Sequence, residues 1–451
     1  MKKTLILFGI AALLAVACGD KNSDEYSSVN ECIHGIMKDY YLWNNTIPRR
    51  FKGEDIFPAD YFESLLYRDD RWSFISEDGQ ALNDELAGSP YSMGYSPQFW
   101  GYNNRKNVLI IVEYVYPGSP AARAGLKRGD IIIDINNAAL TPDNYYDLYL
   151  KERASFTMAY YDAANNQLVP DGRVLTMQAE KVQADPSIYD TIFEVNGRSV
   201  GYYVYTAFTT GRTYQASMDA VFDRFKAAGV KDLILDLRYN GGGDVETARH
   251  LASAIAPANT IDNQEILITN VYNDLLTTVF AQEGSEDDFK VRFEKNSHNA
   301  DMENLYVLCA EGTASASELV TIGLMPYMNV TLVGDTTYGK YTGMFVFDSS
   351  IDDELKDLKN WALLPVCMKY ANANGFTDFV DGLIPDYLVE DDLLAGYQFG
   401  DANDPMLATA LDVIAGLPVT AKAAQIMPFK VLDRDHSVFR NNAIVRPKMV
   451  K

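Results

Sequence analysis

The residues that could do chemistry are few, and two runs hold most of them. In Leu305-Tyr306-Val307-Leu308-Cys309-Ala310-Glu311-Gly312-Thr313-Ala314-Ser315-Ala316-Ser317-Glu318-Leu319-Val320, an apolar strand meets small residues, then an amphipathic helix that Pro326 ends. Small residues at such a turn let a serine hydroxyl project and a carbonyl approach the backbone, while free amides at the helix start can hold an oxyanion. The same residues also suit an ordinary helix N-cap with Glu318 in the first turn. Beyond a strand over 330–334, and 25 residues after Ser315, comes Thr337-Tyr338-Gly339-Lys340. A serine nucleophile needs a base, and a neutral lysine can serve. Its ordinary pKa of about 10.4 must fall by roughly 3 units, about 4 kcal/mol of desolvation, which burial between apolar strands can supply.

Other chemistries lack their residues. The four histidines, His34, His250, His298 and His436, lie in no nucleophile elbow and no H-x-x-x-H spacing, and there is no CxxC pair. A Ser-His-Asp hydrolase and a zinc enzyme are therefore poorly supported, and each histidine reads as a surface or packing residue. A net charge of −23 over 451 residues argues against a phosphate-backbone partner. The glycine run Asn240-Gly241-Gly242-Gly243 lacks a following Lys-Ser/Thr and meets Asp244 instead, so it is no phosphate loop.

Together these runs resemble the carboxy-terminal processing peptidases, also called tail-specific proteases. That family shows small-Ala-Ser-Ala-Ser-Glu, then about 25 residues to the lysine of a Gly-Lys pair; the serine at that distance here is Ser315. Ser317 is two residues too close and reads as the structural N-cap alternative. Asp236-Leu237-Arg238-Tyr239-Asn240-Gly241-Gly242-Gly243 resembles the family's Asp-Leu-Arg-x-Asn-x-Gly-Gly, and Gly382-Leu383-Ile384-Pro385-Asp386-Tyr387 and Gly400-Asp401 with Asp404-Pro405 resemble its closing segment. The resemblance implies Ser315 as nucleophile, Lys340 as base, and the amides of Gly242 and Ala316 as oxyanion donors. Thr342 matches a family threonine two residues after the lysine. The glutamine that usually orients the lysine, four residues after it, is Met344 here. No metal or organic cofactor is implied.

The surrounding elements must position these groups. Residues 26–80 are rich in helix formers and aromatics and suggest a small helical cap, followed by a turn-rich join from Asp78-Gly79 to Pro90. From 91 to 182 strands dominate, and Gly118-Ser119-Pro120-Ala121-Ala122-Arg123-Ala124-Gly125-Leu126 through Ile135 closely resembles a PDZ domain. Such domains take an extended peptide C-terminus by strand addition. Its carboxylate loop would fall at Met93-Gly94-Tyr95. From 183 to 415 strands and helices alternate, as in an α/β domain. Tyr214, Met218, Val221, Phe222 and Phe225 form the core stripe of a helix with Thr213 as a plausible N-cap and Gly229 beyond its end. The fold expected from the resemblance is a crotonase-like α/β peptidase core with an inserted β-rich PDZ domain and the helical cap. The extension from 416 to 451 carries no legible chemistry.

The first residues read as a targeting segment. Met1-Lys2-Lys3 precedes an apolar run of 14 residues, Thr4 to Ala17, too short to span a bilayer comfortably. Leu14-Ala15-Val16-Ala17-Cys18 resembles a bacterial lipobox, with 1–17 removed, Cys18 lipidated, 18–25 a polar tether, and Gly19 favouring the outer membrane. Cys32, Cys309 and Cys367 form no disulfide framework; the last two read as buried and inert. The expected function is a lipid-anchored serine endopeptidase that selects polypeptides by their free C-termini. The rivals are a non-catalytic peptide-binding lipoprotein of the same fold and, more distantly, a histidine-dependent esterase.

Overall fold

The computed structural model describes residues 25–283, 289–419 and 429–432. Cys18, the leader before it and most of the 416–451 extension lie outside the described residues.

Two N-terminal helices, α1 (Glu25–Tyr40) and α2 (Pro58–Ser64), bury Ile33, Met37, Tyr41 and Phe62. Leu363, Val366 and Cys367, from much later in the chain, complete the same cluster. The strand β1 (Phe74–Ser76) pairs antiparallel with 362–364, so the cap shares its core with the α/β domain. The expected turn-rich join after Asp78 is instead a helix, α3 (Gly79–Leu86). Asp78 caps it, accepting the Ala81 N–H at 2.9 Å, and Leu82 is buried. An Asp-Gly pair reads as a turn in sequence, but here the Asp is an N-cap.

The PDZ domain runs β2 (Tyr95–Tyr102), β3 (Asn107–Val115), α4 (Pro120–Ala124), β4 (Ile131–Ile135), α5 (Tyr145–Tyr149), β5 (Arg153–Asp162) and β6 (Gln167–Gln178). Its strands pair antiparallel in that order around Ile110, Val112, Ile132, Phe156 and Met158. Ser119 caps α4 and Gly125 ends it in the left-handed conformation, as the local sequence requires.

The core is a sheet of β7 (Ser187–Val195), β8 (Arg198–Tyr205), β9 (Asp232–Asp236), β11 (Asn304–Cys309), β12 (Asn329–Gly334) and β16 (Tyr387–Leu388), parallel except for the first pair. Helices α6 (Gln215–Ala227), α7 (Val245–Ile255) and α8 (Ala316–Leu324) contribute to the cluster on one face and α9 (Pro405–Ala415) to that on the other. Strand residues therefore alternate between two apolar layers: Leu233 and Leu235 face the α8 side, Ile234 the α9 side. Of the expected stripe, Met218, Val221, Phe222 and Phe225 are buried, whereas Tyr214 is half-buried and stands, instead of Thr213, at the helix N-cap, outside the first turn. A second sheet, in which β10 (Ile266–Tyr272) and β13 (Thr342–Met344) flank β15 (Val366–Asn372), packs beside it, and β14 (Ala362–Leu364) is the strand that holds β1. The three described cysteines are free and buried.

Candidate active site

Three turns leave the carboxyl ends of three adjacent parallel strands, the place where open α/β sheets gather their ligands. The ends are level, since Asp236 pairs with Leu308 and Leu308 with Val333. After β9 comes the glycine turn, after β11 the turn to Ser315, and after β12 the run to Lys340.

Hydrogen bonds knit the first two turns together. Asn240 O accepts Ala314 N–H at 3.1 Å and the Ser317 hydroxyl at 2.9 Å, and Thr313 Oγ1 donates to Leu237 O at 2.8 Å. Ser317 is thus a strut to the glycine turn; the N-cap position belongs to Ser315. Ser315 itself has φ 57° and ψ −114°, a sparsely populated conformation for a residue with a Cβ. Such a backbone persists only when its surroundings hold it, and they do. Its N–H donates to Glu318 Oε2 at 2.8 Å, and its carbonyl accepts Leu319 N–H at 2.8 Å and the Tyr370 hydroxyl at 2.9 Å.

Lys340 is gripped by the same two side chains. Its N–H donates to the same Glu318 oxygen at 2.9 Å, and its carbonyl accepts Tyr370 Oη–H at 2.7 Å. The other Glu318 oxygen takes Thr337 Oγ1–H at 2.5 Å and Gly339 N–H at 2.7 Å. One carboxylate therefore ties the Ser315 backbone to that of Lys340, and one phenol repeats the tie on the carbonyl side. Gly339 must be glycine: its φ is +85°, and a Cβ would meet Val380 O at 2.4 Å.

Burial lowers the Lys340 amine to about 8, with the Asp70 and Glu318 charges pulling the other way. Asp70 comes from the N-terminal cap, where it accepts the Tyr41 hydroxyl at 2.6 Å and the Trp72 and Ser73 amides. Burial also raises the Glu318 carboxyl, against four donors, from Thr337, Gly339, Ser315 and Lys340, that pull it down. Neither Asp70 nor Tyr370 is legible as a site residue in sequence, because each reaches the lysine only through tertiary packing. Glu318 had a signal, the Ser-x-x-Glu spacing, but it read as an ordinary cap.

The oxyanion donors expected from the resemblance are brought together with Ser315. A Cβ on Gly242 would lie 2.6 Å from Ser315 Cβ and 2.9 Å from Ala316 N, so only glycine lets the turn come this close. Ala316 N–H opens α8 and has no partner inside the helix. Gly242 N–H, however, donates to Asn240 Oδ1 at 2.9 Å, so in this arrangement that donor is engaged. The Asn240 side chain is itself anchored through Nδ2 to Tyr205 O at 2.9 Å.

An ion-pair network fixes the glycine turn from behind. Arg238, 1% exposed, bonds Asp236, Asp391 and Asp404, and Arg128 of the PDZ domain bonds Asp391 and the Tyr239 hydroxyl. Tyr239 Oη–H donates to Asp391 in turn. The residue before Asn240 is thus held by the PDZ domain and by the closing segment Asp391–Asp404 together.

The described histidines, His34, His250 and His298, take no part. His250 sits between Asp219 (2.7 Å) and Glu294 (2.6 Å), and His298 beside Asp223 (2.8 Å). Burial alone would lower the His250 imidazole, but those two carboxylates hold it above its usual value. His34 stacks on Tyr61 and bonds its hydroxyl. His436 lies outside the described residues. Among the described residues no group of three or more potential ligands could hold a metal ion.

At the PDZ loop, Met93 and Tyr95 are core residues, so any peptide contact there is through backbone. Gly94, between them, has its carbonyl held by Tyr116 N–H and Ser119 Oγ–H.

Thr342 and Met344 answer the missing glutamine differently. Met344 packs into the apolar clusters around Phe74 and Phe347 and offers the lysine no acceptor. The Thr342 hydroxyl is fully buried and has no hydrogen-bond partner among the described residues. A buried orphan hydroxyl costs about 1–3 kcal/mol, so a partner is expected for it, and Lys340 stands two residues away in sequence. Thr342→Val should therefore lower kcat by roughly 10- to 100-fold with KM little changed, while the melting temperature holds or rises. Met344→Gln should restore much of the loss. A silent Thr342→Val, with Met344→Gln alone accelerating the parent, would assign the lysine another partner.

Residues 199–389 match the sequence profile of peptidase family S41, residues 28–74 that of the peptidase S41 N-terminal domain, and residues 111–158 that of a PDZ domain. The chain is 24% identical over 343 residues to the carboxy-terminal processing protease CtpA of Bacillus subtilis (strain 168), covering 75% of this chain and 65% of that protein. It is 24% identical over 326 residues to the chloroplastic C-terminal processing peptidase of Tetradesmus obliquus, covering 70% and 64%. The match thus spans just under two thirds of the length of these relatives. The crystal structure of a Bacteroides fragilis NCTC 9343 protein, titled "Putative S41 protease", superposes with a TM-score of 0.70 at 25% identity, over 86% of this chain and 97% of that one.

Proposed function

We propose that this chain, which belongs to peptidase family S41, is a serine endopeptidase working through a Ser315/Lys340 dyad and an acyl-enzyme. One observation carries the reading: a single buried carboxylate oxygen, Glu318 Oε2, accepts the amides of both residues and so fixes nucleophile and base to one point. Neutral Lys340 takes the Ser315 proton as Oγ attacks a peptide carbonyl. The oxyanion is received by Ala316 N–H, and by Gly242 N–H once it turns from Asn240 Oδ1. The resulting ammonium then protonates the leaving amine, and water releases the acyl group with Lys340 again as base. Substrates are polypeptides presented by their C-termini along β2 of the PDZ domain, as strand addition allows. The test is hydrolysis of an unfolded protein, with products mapped by mass spectrometry. Wild type should cut and Ser315→Ala should not; equal cutting by both would end the proposal.

A second reading, a chain that binds peptides without cutting, is favoured by the engaged Gly242 amide. A wild type that binds but never cleaves would establish it.

The lipobox supports a lipid anchor at Cys18, with the enzyme held at the cell envelope, at the outer membrane. Acyl chains contribute roughly 0.8 kcal/mol per buried methylene irrespective of the chain's negative charge. Cys18→Ser should move the protein out of the membrane fraction or leave its leader uncleaved; unchanged fractionation with an unmodified N-terminus would reject the anchor.

A further inference from the structure

We infer that the chain carries its own ligand for the peptide edge of its PDZ domain: residues 429–432 lie as an added strand on β2 and compete there with incoming peptides. This rests on the reading of β2 as the edge that receives peptide.

Strand β17 (Lys430–Val431) pairs antiparallel with β2, Lys430 opposite Gly101 and Val431 opposite Trp100. Leu432 N–H points to Phe99 O at 3.4 Å. Without it, β2 would be the outer strand of the PDZ sheet, a row of backbone donors and acceptors ready for another chain. The segment uses that row as a bound peptide would.

Its side chains seat on both faces, as period-two alternation demands. Leu432 joins the cluster that includes Phe99 with Tyr145, Leu148 and Tyr149 of α5, the groove between strand and helix. Gly101 leaves it room: a Cβ there would stand 3.3 Å from Leu432 Cδ2. Phe429 packs on the opposite face among Trp100, Tyr102 and Tyr161, its ring 5.4 Å from that of Tyr161. The direction also fits. From Phe429 to Leu432 the segment runs toward Tyr95 and the Gly94 turn, the end at which a peptide carboxylate would be received.

A segment tethered to its own site acts at an effective concentration in the millimolar range. A free peptide must displace it, so weak C-termini are excluded and only tighter ones gain the edge. The segment is thus a selectivity filter for the site it covers.

The probe is a fluorescein-labelled synthetic peptide of residues 427–434, added to the full chain carrying Ser315→Ala so that nothing is cleaved. Binding is read by anisotropy, with and without the further pair Phe429→Ser and Leu432→Ser. The pair should tighten binding by at least tenfold and, with no peptide present, speed hydrogen exchange at the Gly101 amide, which lies opposite Lys430, with the circular dichroism of the folded chain unchanged. Equal affinity in the two proteins would overturn the inference even if exchange rises, because the strand would then dock without competing; unchanged exchange would overturn it directly. None of these readouts depends on hydrolysis, so they stand apart from the peptidase proposal.

Discussion

Lys340→Met should lower kcat by about 10⁴-fold, the upper range for losing a general base, without lowering the melting temperature. Methionine keeps the length and apolar stem of lysine and removes only the amine. In wild type the fraction of neutral amine grows with pH, so kcat/KM should climb through about pH 8 and level off above it. The stability sign follows from the same shift. A lysine whose folded pKa lies below its unfolded value penalises the fold wherever the unfolded chain is protonated, most fully below the folded pKa of about 8. Removing it at pH 7 therefore relieves a penalty, and the melting temperature should rise. Lys340→Arg is the control for charge: a guanidinium that never deprotonates should be as inactive as methionine. A lysine variant with near wild-type kcat would remove Lys340 from the chemistry.

Glu318→Gln should cost about 3 kcal/mol or more in stability and reduce kcat by at least about 10²-fold. The carboxylate accepts Ser315 N–H, Lys340 N–H, Gly339 N–H and the Thr337 hydroxyl. An amide has one acceptor oxygen, so its NH₂ must face either the Ser315 and Lys340 amides or the Gly339 amide and the Thr337 hydroxyl, leaving at least one backbone donor unpaired. Whichever way it flips, one side of the clamp opens. If the pair exposed is that at Oε2, Ser315 loses support for its strained φ of 57°. The pH midpoint is diagnostic here, because a general loss of fold would lower the active fraction, and so apparent kcat, without moving KM or the pH profile. A displaced dyad should move the pH midpoint. A Glu318→Gln enzyme with normal kcat and midpoint would show that the clamp is a structural convenience.

Much of this was legible in sequence, for physical reasons that differ between elements. The helix stripe at Met218, Val221, Phe222 and Phe225 announces itself by periodicity and the strand over 233–237 by its apolar run Leu233-Ile234-Leu235, and both are buried. Ser315 and Lys340 stand out because small residues and a Gly-Lys pair follow apolar strands. What sequence could not give was any role made by contact across the fold. Asp70 reaches the lysine from the N-terminal cap, Tyr370 bridges two carbonyls from a strand with no unusual residues, and Arg128 crosses from the PDZ domain to the residue before the glycine turn. The helix after Asp78 was missed because Asp-Gly favours a turn locally, whereas Leu82 finds a place in the core.

The most direct measurement is acid-quenched trapping of the acyl-enzyme from a peptidyl p-nitrophenyl ester, with the adduct located by fragment mass spectrometry. The expected result is one acyl group on Ser315, formed in a burst whose rate rises with pH to a midpoint near 8, and no adduct in Ser315→Ala. An adduct on another residue, or a burst that survives Ser315→Ala, would contradict the Ser315/Lys340 assignment.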